Sequence, residues 1–140
     1  SITLSFFQKV KTDWDEIITK FEGDFYNLEG DFENNWRWAG DKGVLVLSNN
    51  SNNLKKVVLS MSISSGYNEK SSVLVNIDNI DEDKISINSN PTIFSKEVII
   101  NSKSSVHITF LANDTMQLLA PNDSRNLKFR VNNFSVEIKN

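Results

Sequence analysis

The chain contains no cysteine. That absence excludes a disulfide scaffold, a thiolate zinc site and a cysteine nucleophile, while leaving the compartment open. There is a single histidine, His107, so zinc would have neither a second imidazole nor a thiolate to bind it. In Val106-His107-Ile108-Thr109-Phe110 the imidazole points away from the apolar face and reads as surface. No Gly-x-Ser-x-Gly, no phosphate-cradling glycine loop and no histidine spaced for a serine are present. No apolar run approaches the roughly 20 residues that span a bilayer. The first residues, Ser1 to Phe7, lack a charged n-region and a cleavage site, so they do not read as a signal peptide. Positive charge is also scarce: 15 Lys and Arg stand against 18 Asp and Glu, for a net charge of −3 and a pI near 5.1. The basic residues fall singly or in pairs such as Lys55-Lys56, which excludes a phosphate-backbone partner.

What remains is a chain of 140 residues, 39% apolar and 24% charged, enough for one domain with its own core. Its many Asn, Ser, Ile and Lys residues match the bias of AT-rich bacterial genomes. Most of the sequence alternates with period two. Val57, Leu59, Met61 and Ile63 interleave with Val58, Ser60, Ser62 and Ser64, giving a strand with one polar face. Similar segments run over 44–47, 73–77, 85–87, 94–100, 106–110, 127–131 and 134–138, separated by turn signals such as Asn90-Pro91. Strands at roughly 8–12-residue spacing predict an all-β, jelly-roll β-sandwich of eight or nine antiparallel strands.

One segment reads differently. Trp14, Ile17, Ile18 and Phe21 fall at i, i+3, i+4 and i+7, which predicts a short amphipathic helix over residues 12–21. Asp13 and Glu16 have capping-box spacing, and Gly23 stands where such a helix would stop. The expected organisation is therefore an N-terminal segment, 1–22, and a β-sandwich domain, 23–140.

Chemistry concentrates in two motifs about a hundred residues apart. The first is Phe25-Tyr26-Asn27-Leu28-Glu29 followed by Trp36-Arg37-Trp38-Ala39-Gly40, and the second is Pro121 to Val131, containing Asp123-Ser124-Arg125-Asn126-Leu127. In a strand Trp36 and Trp38 share one face and Arg37 takes the other. If that face is exposed, two indoles about 7 Å apart form a stacking surface for a sugar, with Tyr26, Glu29, Asp31 and Asn35 as polar partners for its hydroxyls. The alternative places Trp38 in the core and Arg37 against a carboxylate at the sandwich edge. A buried Trp38 beside a partly exposed Trp36 would require a bulge, a twist or a strand edge between them. For Arg125 the structural alternative is a largely buried bidentate clamp on Glu29, worth about 3–5 kcal/mol if broken, with Asp123 fixing the turn. Glu29 and Asp31 are too close in sequence to flank a glycosidic bond from opposite sides, so the chain is not expected to be an enzyme. The acidic run Asp78 to Asp83 lacks the calcium-loop spacing and reads as a solvated turn. A structural calcium built from loop carbonyls stays open, and no other cofactor is expected.

These motifs resemble a β-sandwich accessory module of bacterial surface-glycan enzymes, found beside glycosyltransferases and sulfatase-type phosphoglycerol transferases. Phe25, Tyr26, Glu29, Arg37, Trp38 and Gly40 match its first motif, and Asp123, Arg125, Leu127 and Phe129 its second. The resemblance covers residues 24–138. Trp36 lies outside the family pattern, and the middle strands match in periodicity alone. It implies a non-catalytic carbohydrate-binding or substrate-positioning module of a cell-envelope polysaccharide enzyme, on either side of the membrane. Its partners would be carbohydrate and the catalytic domain of the same polypeptide. The candidate contact residues are Tyr26, Glu29, Trp36, Arg37, Trp38 and Arg125. Two alternatives carry different expectations: a docking or oligomerisation domain using the Trp14/Ile17/Ile18/Phe21 stripe as its surface, and an adhesin or phage receptor-binding domain.

Overall fold

The structure is a computed structural model that describes the backbone of residues 2–5 and residues 16–113 and 118–139 in full. Ten strands are present among them: β1 (Ile2–Ser5), β2 (Ile17–Phe25), β3 (Glu29–Gly30), β4 (Asn35–Asn49), β5 (Lys55–Ser64), β6 (Ser71–Ile77), β7 (Asp81–Ile87), β8 (Thr92–Ile100), β9 (Ser105–Ala112) and β10 (Phe129–Lys139). Every pairing is antiparallel.

The long strand β4 joins two layers. Its second half, from Lys42 onward, pairs with β9 on one side and β2 on the other, and β9 continues to β6 and β7. Its first half pairs with β3 and with Phe129–Asn132 of β10, and β10 continues to β5 and β8. Alternation then decides which side of each layer is buried. Ala39, Leu45 and Leu47 of β4, Val57, Leu59, Met61 and Ile63 of β5, Val73 and Val75 of β6, and Phe129 and Val131 of β10 belong to one buried cluster. Two half-apolar sheets can bury such faces only against each other, which makes the fold a sandwich. Phe25 anchors one end of the core, with Phe21, Phe110 and Phe129 ring centroids 5.0, 5.6 and 6.2 Å away. A lysine clips the outer strands together: Lys96 Nζ of β8 lies 2.8 and 3.1 Å from Asp81 and Asp83 of β7.

The helix expected over 12–21 is corrected. Ile17–Phe25 is a strand in register with β4, from Ile17 opposite Asn49 to Gly23 opposite Gly43; Trp14 lies outside the described residues. Ile17 and Phe21 share a face in a helix and in a strand alike, whereas Ile18 joins them only in a helix. The β-branched run Ile17-Ile18-Thr19 and the unfilled edge of β4 favour the strand. Gly23 does not stop a helix. It sits at φ 68° where the register shifts before Phe25, and a Cβ there would lie 2.8 Å from the Lys42 carbonyl, so it permits a bulge. The strand also crosses the boundary expected at residue 22. Ile17 is only 1% exposed and Phe21 packs on the core, so these two are spent inside the sandwich and do not offer a docking stripe.

The acidic stretch divides. Asp78 and Asn79, at φ 50° and 60°, make the turn, and Asp81 and Asp83 enter β7 to meet Lys96. Among the described residues no group of three His, Asp or Glu converges as a metal cage would.

Candidate functional site

Phe25 and Tyr26 point to opposite sides of the first layer, as neighbours in an extended chain must. Phe25 enters the core, while Tyr26 lies outside, its hydroxyl accepting the Asn126 backbone N–H at 2.8 Å. That bond, together with the Lys128 N–H donated to the Ala39 carbonyl at 2.9 Å, fastens the second motif against the first. Leu127 is buried between these two anchor points.

The second motif closes on itself and then on Glu29. Asp123 Oδ1 accepts the Arg125 backbone N–H at 3.0 Å, forming the turn, and the same carboxylate takes Arg125 Nε at 3.0 Å and Nη2 at 2.8 Å. Arg125 Nη1 then reaches Glu29 Oε2 at 2.8 Å. The expected contact between the motifs is therefore present, but the bidentate partner is Asp123. The pair is also less buried than expected: the Arg125 and Glu29 side chains remain 30% and 35% exposed. Solvent screens such a pair, so the estimate of several kcal/mol for Arg125→Ala is replaced by a Glu29–Arg125 coupling of about 1 kcal/mol or less in a double-mutant cycle.

The guanidinium also holds the Asp123 carboxyl below its ordinary value of 3.8, chiefly through their side-chain hydrogen bonds. A carboxylate with a depressed folded-state pKa contributes stability above its unfolded pKa and loses it as pH falls through the folded value. Chemical denaturation of the native protein should therefore show a stability loss beginning below about pH 4. Asp123→Asn should flatten that part of the profile, and an unchanged profile in the variant would contradict the assignment.

Trp36 and Trp38 share the outer face of β4, opposite Asn132 and Arg130 of β10. Their exposures differ: Trp38 is 8% exposed, whereas Trp36 is partly open to solvent. No register shift separates them. The contrast comes from the strand edge, because β10 leaves β4 just past Asn132, at a bulge that includes Asn133 at φ 49°. Asn133 Oδ1 accepts the Asn35 backbone N–H at 3.0 Å and so pins the end of β4 beside Trp36. Gly30, opposite Asn35, fits against the Trp36 ring: a Cβ there would lie 2.8 Å from the indole. Of the two alternatives for this pair, the structure has Trp38 buried and leaves one accessible ring, Trp36.

Arg37 takes the opposite side of β4, as alternation requires. It stands 4.3 Å over the Phe21 ring and donates to the Tyr26 carbonyl at 2.8 Å, and burial lowers its pKa. Its place is taken by a residue that sequence reasoning missed. Arg130 lies 4.9 Å from the Trp36 centroid and 5.5 Å from that of Trp38. The signal was available, since Phe129 and Val131 are core residues and the residue between them must face outward.

The accessible face thus carries Tyr26, Glu29, Trp36, Arg125 and Arg130, with Trp38 beneath. It offers an aromatic surface, carboxylate acceptors and guanidinium donors, the functional groups a sugar ring can use. A second depression of about 430 Å³, over β2, the second half of β4, β6 and β9, is lined by Glu22, Lys42, Asn76, His107 and Thr109 among others, without a Phe, Tyr or Trp ring. The exposed His107 belongs to that depression and not to the tryptophan face.

No protein-family model matches the chain, and no curated protein sequence matches it significantly. Solved structures do resemble it. The GH26-CBM35 β-(1,4)-mannanase of Podospora anserina is 11% identical with a TM-score of 0.48, over 99% of this chain and 28% of that one. The C-terminal CBM6 of a marine laminarinase from Zobellia galactanivorans is 9% identical with a TM-score of 0.45, over 89% of this chain and 99% of that one. A family 35 carbohydrate-binding module from Clostridium thermocellum is 10% identical with a TM-score of 0.41, over 86% and 88%. Likenesses of this size leave the fold description resting on the strands themselves, and the functional reading on the residues of the face.

Proposed function

We propose that the chain is a non-catalytic carbohydrate-binding or substrate-positioning module, serving a bacterial cell-envelope polysaccharide enzyme. The observation that carries this is the partly exposed Trp36 indole, held at a strand edge among Glu29, Arg125, Arg130 and Tyr26. Sugar C–H faces pack on an aromatic ring, and their hydroxyls need charged or amide partners within hydrogen-bond reach. The envelope-enzyme context comes from the motif resemblance and would give the module a catalytic domain as its neighbour.

Glycan-array screening followed by calorimetry tests the reading. Binding in the micromolar to millimolar range is expected, and Trp36→Ala should remove it while changing folding stability by less than about 1 kcal/mol. Absence of any carbohydrate binding up to millimolar concentration would defeat it.

A further inference from the structure

Arg130 sits against both indoles of the tryptophan face, and among the described residues its polar edge meets no acceptor. Arg125, 5.5 Å from the Tyr26 ring, directs its donors at Asp123 and Glu29. Arg37 donates to the Tyr26 carbonyl. Among the described residues, the Arg130 guanidinium makes ring contacts with Trp36 and Trp38 and neither a hydrogen bond nor an ion pair. Its register neighbours Asn132 and Ser64 are held to each other, Asn132 Nδ2 donating to Ser64 Oγ at 3.2 Å and to the Ser62 carbonyl at 3.3 Å. Burial lowers the Arg130 pKa, with the Glu29 charge acting in the other direction. A guanidinium carries five N–H donors in a rigid planar fork. Two indoles hold this one in place without occupying those donors, so little ordering remains to be done when a ligand arrives.

We propose that Arg130 is the anion-recognising group of the site and that the ligand is an acidic glycan. A carboxylate on the sugar, as in a uronic acid, accepts paired hydrogen bonds from the Arg130 fork while the adjoining ring packs on the open part of Trp36. This deepens the glycan-binding reading above and rests on it. A carboxylate matches the fork bidentately and carries the opposite charge, whereas a neutral hydroxyl offers the fork a single uncharged acceptor. Long-range attraction is not the source of the preference. Glu29 and Asp123 balance Arg125 and Arg130 in formal charge, and the whole chain is at −3, so the discrimination is made at contact.

The test uses the full chain. An array carrying uronate-bearing oligosaccharides and their carboxyl-reduced counterparts selects the best acidic probe. Calorimetry then compares that probe with its reduced form. The acidic form should bind at least about tenfold more tightly, since charged hydrogen bonds of this kind are worth that much or more. Arg130→Gln should abolish the difference, and Arg130→Lys, which keeps the charge but not the fork, should retain only part of it. Near-UV circular dichroism establishes that each variant is folded, and the lysine variant carries the test if the glutamine variant is not. Equal binding of the acidic and reduced probes, or a preference that survives Arg130→Gln, overturns the assignment. Trp36-dependent binding without acidic preference would leave the glycan reading standing and remove this inference. No binding of either probe at millimolar concentration would remove both.

Discussion

Trp38→Ala is expected to destabilise the fold by about 3–5 kcal/mol, the usual cost of truncating a buried tryptophan. The indole is 8% exposed but lies outside the main core, on the far side of β4 from Ala39 and Phe129. It occupies the seam where three parts of the chain meet. Tyr26 donates its backbone N–H to the Trp38 carbonyl at 2.9 Å, the Asn126–Lys128 stretch is tied to Tyr26 and Ala39, and Arg130 pairs with it from β10. Removing the ring opens a void beneath the second motif and takes away one of the two indoles that hold Arg130. Urea unfolding should show a lower midpoint with an unchanged slope. Trp36→Ala, two residues away on the same face, should leave the midpoint almost where it was. Equal effects from the two variants would mean that the seam does not depend on Trp38, and would also undermine the assignment of Trp36 as the ligand-facing ring.

That asymmetry shows what a sequence can and cannot convey about such a site. The strands with one apolar and one polar face, such as β5 and β9, are legible because alternation alone determines their burial. The first half of β4 is not, because Trp36, Arg37 and Trp38 are large on both faces and the strand belongs to two layers. β10 reads as two segments because Asn132-Asn133 resembles a turn, whereas the structure absorbs the extra residue as a bulge and uses the Asn133 side chain to hold Asn35. Residues 17–21 fail for another reason. A short apolar pattern of that length fits either period, and only the partner strand decides. The contact between Glu29 and Arg125 was legible from motif chemistry, but its geometry depends on Asp123 standing two residues from Arg125, which leaves Glu29 a single hydrogen bond. The outward position of Arg130 is legible from its core neighbours Phe129 and Val131, but not that, among the described residues, its donors meet no acceptor. That property appears only once the surrounding groups have been matched with one another.

The other large effect lies at the opposite end of β4, where Asn49→Leu is expected to cost about 2–4 kcal/mol. Asn49 is 1% exposed, so its amide cannot rely on water. Its Nδ2 donates to the carbonyls of Asn53, Ile100 and Asn101 at 2.8, 2.9 and 3.2 Å, while Oδ1 accepts from Ser51 N and Oγ at 2.9 and 2.7 Å. These bonds staple two crossings between the layers, from β4 to β5 and from β8 to β9. Lys103 reinforces the junction by donating to the Asn50 carbonyl at 2.6 Å. Leucine has a similar size but leaves the buried Ile100 carbonyl without its partner, and that desolvation cost outweighs the apolar area gained. Asn49→Asp separates the two halves of the staple. It keeps the oxygen that accepts from Ser51 but turns a second oxygen toward three carbonyls, so it should cost at least as much as leucine at neutral pH. Both variants should unfold at lower urea concentration while keeping the acidic-glycan preference in the folded state, because Asn49 ends the 15-residue strand β4 whereas Arg130, on β10, pairs with Trp38 near its beginning. A leucine variant within about 1 kcal/mol of the parent would show that these crossings are held by the core alone.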